Sequence, residues 1–373
     1  ELGSGIYQVH MISKEFYDMK NRIGISIVVI ILLTVVNVNN VKAQLQKTEL
    51  TLENIYTGKF GLKGYGPVRW LKDGDGYTTL EWNKDIAGRD IVRYDAKTGD
   101  RTVLVKASAL IPPGESKPLN IRDYVWSHNN TKMMIFTNTR RVWRQHTRGD
   151  YWVLDLKSGS LVSLGRSVER TTMMFAKFSP DDNKVGYVSK NNIYVEDLAS
   201  GNIIQLTSDG CEYIVNGTFD WVYEEEFSAR DGFRWSPDSR NIAYWQSDTR
   251  GTGTFSIINN LDSIYPEIIP LPYPKVGTPN SHVKVGVVPA QGGESRWFDV
   301  PGDPRNNYLP RMDFIPRSNE VMIQQLNRLQ NTNTVWLGNV NTMDLKTILV
   351  DKDDAWLDIH DNIKWMDEEQ YFT

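Results

Sequence analysis

The sequence predicts an all-β protein of the β-propeller class. Two interleaved turn-strand patterns repeat along it, their spacing matches one blade, and its aromatic content favours strands. Three segments, "IVRYDAKTGDRTVLV" from Ile91, "YWVLDLKSGSLVSL" from Tyr151 and "IYVEDLASGNIIQL" from Ile193, share one unit: strand, Asp-x-x-Ser/Thr-Gly, strand. Gly99, Gly159 and Gly201 supply the positive φ that closes a tight hairpin, and Asp95, Asp155 and Asp197 can bond the turn backbone. Twelve Trp and seventeen Tyr suit pleated, half-buried surfaces.

A second pattern alternates with the first: "PVRWLKDGDGYTTLEW", "DYVWSHNNTKMMIFT", "AKFSPDDNKVGYVS", "FRWSPDSRNIAYWQ", "MDFIPRSNEVMIQQ" and "IKWMDEEQYFT". Its anchoring aromatics, Trp70, Trp126, Phe178, Trp235, Phe314 and Trp365, are spaced 56, 52, 57, 79 and 51 residues apart. A unit of about 50 residues built of two hairpins is a four-stranded blade. The anchors predict five complete blades and the start of a sixth. The gap of 79 residues holds one blade plus the insertion "SDTRGTGTFSIINNLDSIYPEIIPLPYPKVGTP", too irregular to be strand throughout. A sixth blade ending in mid-hairpin would leave an unpaired edge, so the propeller is expected to be partial.

The N-terminus reads differently. The one long apolar run, "IGISIVVIILLTVV" at 23–36, follows "MKNR" and exits through Val41-Lys42-Ala43. It is shorter than the roughly 20 residues a membrane span needs, and its flanks fit a secretory signal peptide cleaved before Gln44. The alternative is an uncleaved membrane anchor. The expected organisation is therefore an upstream extension at 1–18, a signal peptide at 19–43 and a partial propeller at 44–373, in a secreted or periplasmic protein. Cys211 is the only cysteine, which leaves no intrachain disulfide and no thiolate metal cluster. A net charge of -4 and the lack of any basic cluster to hold phosphate give no reason to expect nucleic acid.

The stretch "DWVYEEEFSARDGFRWSPDS" at 220–239 places Glu224, Glu225 and Glu226 together between packing aromatics, Trp221 and Tyr223 before them and Phe227 after. Carboxylates about 4 Å apart repel by roughly 1 kcal/mol in water and about 4 at intermediate dielectric. Such a group is kept most readily where a cation arrives. A primary ammonium suits two convergent carboxylates, because it has three donors and no acceptor. The alternating oxygen spacing of a calcium loop is missing, and no metal or organic cofactor is called for.

"DWVYEEEF", "FRWSPDS" and "IPLPYPKVGTPN", in that order, together with "VWRQHTRGDYWVLDL" from Val142 and "QQLNRLQNTNTVWL" from Gln324, resemble the dipeptidyl peptidase IV family of prolyl-oligopeptidase-type serine peptidases. The resemblance runs from about residue 50 to residue 373. It implies a propeller that caps a C-terminal α/β-hydrolase domain, which this chain does not contain. It implies that Glu225 and Glu226 hold the free α-amino group of a peptide substrate and that Arg144 contacts a substrate carbonyl. Glu224 is then structural, with Tyr223 in the core and Trp221 a wall. For the complete protein it implies a serine exopeptidase releasing dipeptides of the X-Pro or X-Ala type, and a possible homodimer.

No Gly-x-Ser-x-Gly elbow occurs, and the five histidines form no Ser/His/Asp arrangement. His146 and His282 are expected in polar loops. The catalytic Ser, Asp and His implied by the resemblance would lie beyond Thr373, so the chain alone is expected to bind peptide N-termini without hydrolysing them. Three other readings stand beside this one: a non-catalytic peptide-binding propeller or pseudo-enzyme, a scaffold propeller, and a relative that releases tripeptides.

Overall fold

The computed structural model describes residues 49–61, 66–71, 74–361, 363, 365, 366, 371 and 372; the expected signal peptide at 19–43 lies outside them. The chain divides into two compact units, Glu1–Tyr65 and Gly66–Thr373. Within the first, a one-turn helix, Leu52–Tyr56, is capped by Thr51, whose hydroxyl accepts the Asn54 N–H at 3.1 Å. No helix among the described residues is long and apolar enough to cross a membrane.

The second unit is a succession of antiparallel meanders. The first blade comprises Arg69–Trp70, Gly76–Asn83, Gly88–Asp95 and Arg101–Val105, and the second Asp123–Trp126, Lys132–Val142, Gln145–Asp155 and Leu161–Ser163. The third runs through Met174–Phe178, Lys184–Ser189, Asn192–Asp197 and Ile203–Gln205, and the fifth through Asn307–Phe314, Glu320–Asn327, Thr332–Asn339 and Leu345–Lys352. A sixth begins as the hairpin Trp365–Met366 and Tyr371–Phe372. The six aromatic anchors lie on the first strands of successive blades, and the Asp-x-x-Ser/Thr-Gly turns join third strands to fourth.

Those turns have the predicted chemistry. Gly99, Gly159 and Gly201 have φ of 75, 73 and 69°. Asp155 Oδ1 accepts the backbone N–H of Lys157 at 3.1 Å and of Ser158 at 2.8 Å, plus the Ser158 hydroxyl. The fifth blade makes the same turn with Asn339 accepting from Asn341 and Thr342, and Met343 at φ 65° in the glycine position.

The fourth blade departs from the pattern twice. Its first strand is split into Ile214–Asn216 and Phe233–Trp235, both paired with Asn241–Asp248, which pairs in turn with His282–Pro289 and, beyond it, Arg296–Trp297. The irregular insertion is in part a separate hairpin, Thr254–Asn259 against Glu267–Pro272, with Ile258, Leu261, Ile264 and Tyr265 exposed. His146 and His282, expected in loops, instead lie on strands Gln145–Asp155 and His282–Pro289, because the hairpins there extend further than their polar composition suggests.

Apolar side chains pack between neighbouring blades. Ile91 and Val105 meet Tyr124 and Ile135; Tyr151 meets Phe178 and Tyr187; Val188 and Ile193 meet Phe233 and Ile242; Val285 meets Leu309 and Ile323. Polar contacts cross the same junctions, with the donor on one blade and the carboxylate on the next. Arg69 Nη2 binds Asp123 at 2.6 Å, and the His128 and Asn129 N–H groups each donate to Asp182 at 2.8 Å. Lys177 binds Asp231, Arg234 reaches Asp313 at 4.0 Å, and Arg311 binds Asp361 at 2.5 Å. Burial pulls the Lys177 ammonium down to about 8, against the opposing pull of Asp231.

The turn carboxylates carry a pH dependence. The Ser158 backbone N–H, then its hydroxyl, holds the Asp155 carboxyl below its ordinary value. A depressed acid stabilises the fold above its unfolded pKa and loses that contribution as pH falls through the folded value. Asp155→Ala should therefore lower stability by about 1 kcal/mol at neutral pH. In denaturant titrations the difference from the parent should shrink as pH falls below the ordinary aspartate range of about 4; a difference that did not shrink at all with acidification would contradict the assignment.

Candidate functional site

The split in the fourth blade positions the acidic segment. The chain leaves the strand at Gly217 and returns at Gly232, and the two ends are tied: Gly217 N–H donates to Trp245 O, Gly232 N–H to Gly217 O, and Trp245 N–H to Gly232 O, each at 3.0 Å. Both residues must be small. Gly217 has φ 69°, and a Cβ there would meet Ile193 and Val188 side chains at 2.8 Å; a Cβ on Gly232 would lie 2.6 Å from the Gly217 carbonyl carbon. The strand thus stays in register while 217–232 projects from it.

Within the projection, Trp221–Phe227 forms two turns of helix. Asp220 caps it by accepting the Tyr223 N–H at 3.0 Å, and its other oxygen accepts the Ser281 hydroxyl. Burial pushes the Asp220 carboxyl up, against these hydrogen bonds. Ser228, at φ 52° and ψ 27°, ends the helix. Tyr223 anchors it: the ring is buried and stacks on Phe219 with centroids 5.5 Å apart, and the hydroxyl accepts the Leu309 N–H at 3.0 Å. Leu309 O accepts Trp245 Nε1–H at 2.9 Å. Both Leu309 groups are free for this because the ladder of the fifth blade shifts register between Tyr308 and Arg311.

The three glutamates then point to different partners. Glu224 Oε1 takes Arg230 Nε–H at 3.0 Å, within the same projection. Glu225, with its side chain 19% exposed, lies 3.4 Å from Arg144 Nη2, whose side chain is 78% exposed. Arg144 sits at the tip of the long hairpin of the second blade, where Val142 pairs with Gln145 and Trp143 adopts φ 54°. Glu226 is exposed and lines a cavity of about 960 Å³ whose walls include Trp221, Tyr273, Tyr308, Lys275 and Arg328. Trp221 stands on that wall, 5.1 Å from the Tyr273 ring.

The structure therefore brings Arg144 to Glu225 across two blades, and puts Glu226 on open space beside them in sequence. Sequence reasoning missed the cavity residues Tyr273, Tyr308, Lys275 and Arg328, which come from the insertion and from the fifth blade. It also missed the glycine neck, although a glycine on either side of an aromatic-acidic run was a readable signal of close backbone approach.

A chain of successive four-stranded blades, one of which projects a capped acidic helix, defines a β-propeller with a polar site built on a blade insertion. Residues 127–373 match the family described as the dipeptidyl peptidase IV (DPP IV) N-terminal region, and the chain belongs to that family. It is 28% identical over 368 residues to dipeptidyl aminopeptidase B of Saccharomyces cerevisiae, covering 91% of this chain and 42% of that protein. It is 30% identical over 244 residues to mouse prolyl endopeptidase FAP, covering 65% of this chain and 30% of that one. The crystal structure of Porphyromonas gingivalis dipeptidyl peptidase 4 superposes with a TM-score of 0.73 at 27% identity, over 83% of this chain and 43% of that one. The chain thus spans less than half the length of these relatives.

Tyr223→Phe should leave the buried Leu309 N–H unpaired, at a cost of about 1–3 kcal/mol. Thermal unfolding is expected to show the loss, with Tyr223→Leu worse because the stack with Phe219 also goes. Unchanged stability in Tyr223→Phe would show that the bond does not anchor the helix.

Proposed function

We propose that this chain is the substrate-gating, N-terminus-anchoring propeller of a serine exopeptidase that removes dipeptides of the X-Pro or X-Ala type. One observation carries the reading: two adjacent glutamates sit on a rigidly held helix, one against Arg144 and the next on an open cavity wall. A peptide ammonium bound by Glu225 and Glu226 would neutralise charge that the helix otherwise holds in part against solvent. Arg144 is highly exposed, and its contact with Glu225 leaves guanidinium N–H groups free for a substrate carbonyl.

Anchoring the N-terminus sets a ruler, so the cut falls a fixed distance inward. A blocked N-terminus would displace water from Glu225 and Glu226 and supply no cation beyond Arg144, at up to about 3–5 kcal/mol, or as much as several hundredfold in selectivity. The acyl-enzyme chemistry would come from a downstream α/β-hydrolase domain, with no metal or cofactor. Secretion to the periplasm by the segment 19–43 completes the reading. A homodimer is part of the proposal, and the exposed apolar hairpin 254–272 is the surface that supports it. The second reading, a peptide-binding pseudo-enzyme, shares this site and differs only downstream.

The complete protein carrying Glu225→Gln or Glu226→Gln should lose about a hundredfold or more in kcat/KM on X-Pro substrates, and the parent should reject N-acetylated ones. Equal turnover of free and acetylated peptides, or unchanged activity in both variants, would sink the ammonium-anchor assignment. A complete protein that binds free N-termini but never cleaves would be the pseudo-enzyme.

A further inference from the structure

The first and second blades enclose a second cavity, of about 860 Å³, on the hairpin that carries Arg144. Its walls include Arg89, Arg122, Asp123, Asn138, Thr139 and His146. Charge in it is unbalanced. Asp123 is engaged by Arg69 through both oxygens, at 2.6 and 2.7 Å, while neither Arg89 nor Arg122 has a carboxylate partner among the described residues. His146 is tied to Thr139 at 2.8 Å. The same hairpin bears Arg140, Arg141 and Arg148 beside Arg144; Arg144 meets Glu225, and the hairpin's own Asp150 is taken by Asn138 and Arg170. Against Arg89, Arg122, Arg140, Arg141, Arg144 and Arg148, the cavity and the hairpin at 138–150 set only Asp123 and Asp150. This is a local basic cluster, which the sequence reading of none overlooked because Arg89 and Arg122 are distant from the others in sequence.

The cavity is also close to the anchor along the backbone. His146 lies two residues from Arg144, about 7 Å of strand. A peptide held by its ammonium at Glu225 and Glu226 and by a carbonyl at Arg144, and running on along the hairpin toward His146, would reach this cavity within its next few residues, at about 3.4 Å per extended residue.

We infer that the cavity between the first two blades is a specificity site for acidic side chains in the third to sixth residues of the bound peptide. Arg89 and Arg122 receive the carboxylate, and the basic hairpin steers it there. The inference rests on the N-terminal anchoring proposed above.

The test uses the complete protein and fluorescent hexapeptides whose second peptide bond is N-methylated against cleavage, with Glu or Gln at positions three to six, each with a free or acetylated N-terminus. Free peptides with Glu should bind about fivefold tighter than those with Gln at low salt. The gap should close at about 0.5 M salt and in Arg89→Gln/Arg122→Gln. That variant should keep its Tm and its preference for free over acetylated N-termini, and inorganic phosphate should compete with the Glu peptides only. Equal binding of Glu and Gln peptides by a parent that still rejects acetylated ones would overturn the inference and leave the anchor standing. Indifference to acetylation would instead remove the anchor; a Glu preference surviving in that case would mark a general anion site and overturn the peptide-specific reading.

Discussion

The position of the acidic helix depends on a pair of hydrogen bonds at Leu309. A bulge in the fifth blade releases that residue's N–H and C=O from the ladder, and the fourth blade supplies their partners, Tyr223 Oη and Trp245 Nε1. Two blades are thereby clamped at the place where the helix leaves the sheet. A seven-residue helix would be marginal by itself, because nucleation outweighs so few backbone bonds. Here the Asp220 cap, the buried Tyr223 and Phe227, and the glycine neck hold it in one orientation. The direction in which Glu225 and Glu226 point is a property of the fifth blade as much as of their own.

The electrostatics follow from this rigidity. Glu224 has its cation in Arg230, from the same projection, so that pair adds no preference for a ligand. Glu225 has a largely solvated partner from a different blade, a contact worth little in free energy. Such a pair can be opened or shared at small cost when another cation arrives. Glu226 has open space before it. Three identical side chains in a row are thus made unlike by the backbone angle between them.

Much of the fold was legible because its repeats are local. Asp155 with Gly159, or Ser236 with Asp238, make their turns from residues a few positions apart, and period-two strands follow between them. Blade count and strand order came from the spacing of aromatics such as Trp126 and Phe178. The site was legible only as far as its local part. The glutamates and their helix could be located, but Tyr308 and Arg328 reach the cavity through pairings some hundred residues away, which no local pattern encodes. The insertion at 254–272 was opaque because its exposed Ile and Leu positions pack against no blade, so the hydrophobic alternation that marks a strand has no core to answer to. His146 was misplaced for a related reason: the long hairpin of the second blade stands beyond its sheet, and its polar residues look like a loop.

Five contacts to a carboxylate, one between each pair of successive blades, run the same way round, from a cationic or N–H donor to the carboxylate of the next blade. The second to fifth blades are therefore connectors, each with a donating plug and a carboxylate socket. Joined in the native order they mate; reversed or flipped, two plugs or two sockets would face each other. Gene duplication can lengthen such an array by whole units without redesigning a junction, whereas a cut through the middle of a unit strands one half of a connector. The direction of donation is kept from junction to junction even though the groups that carry it differ, Arg, Lys and backbone N–H.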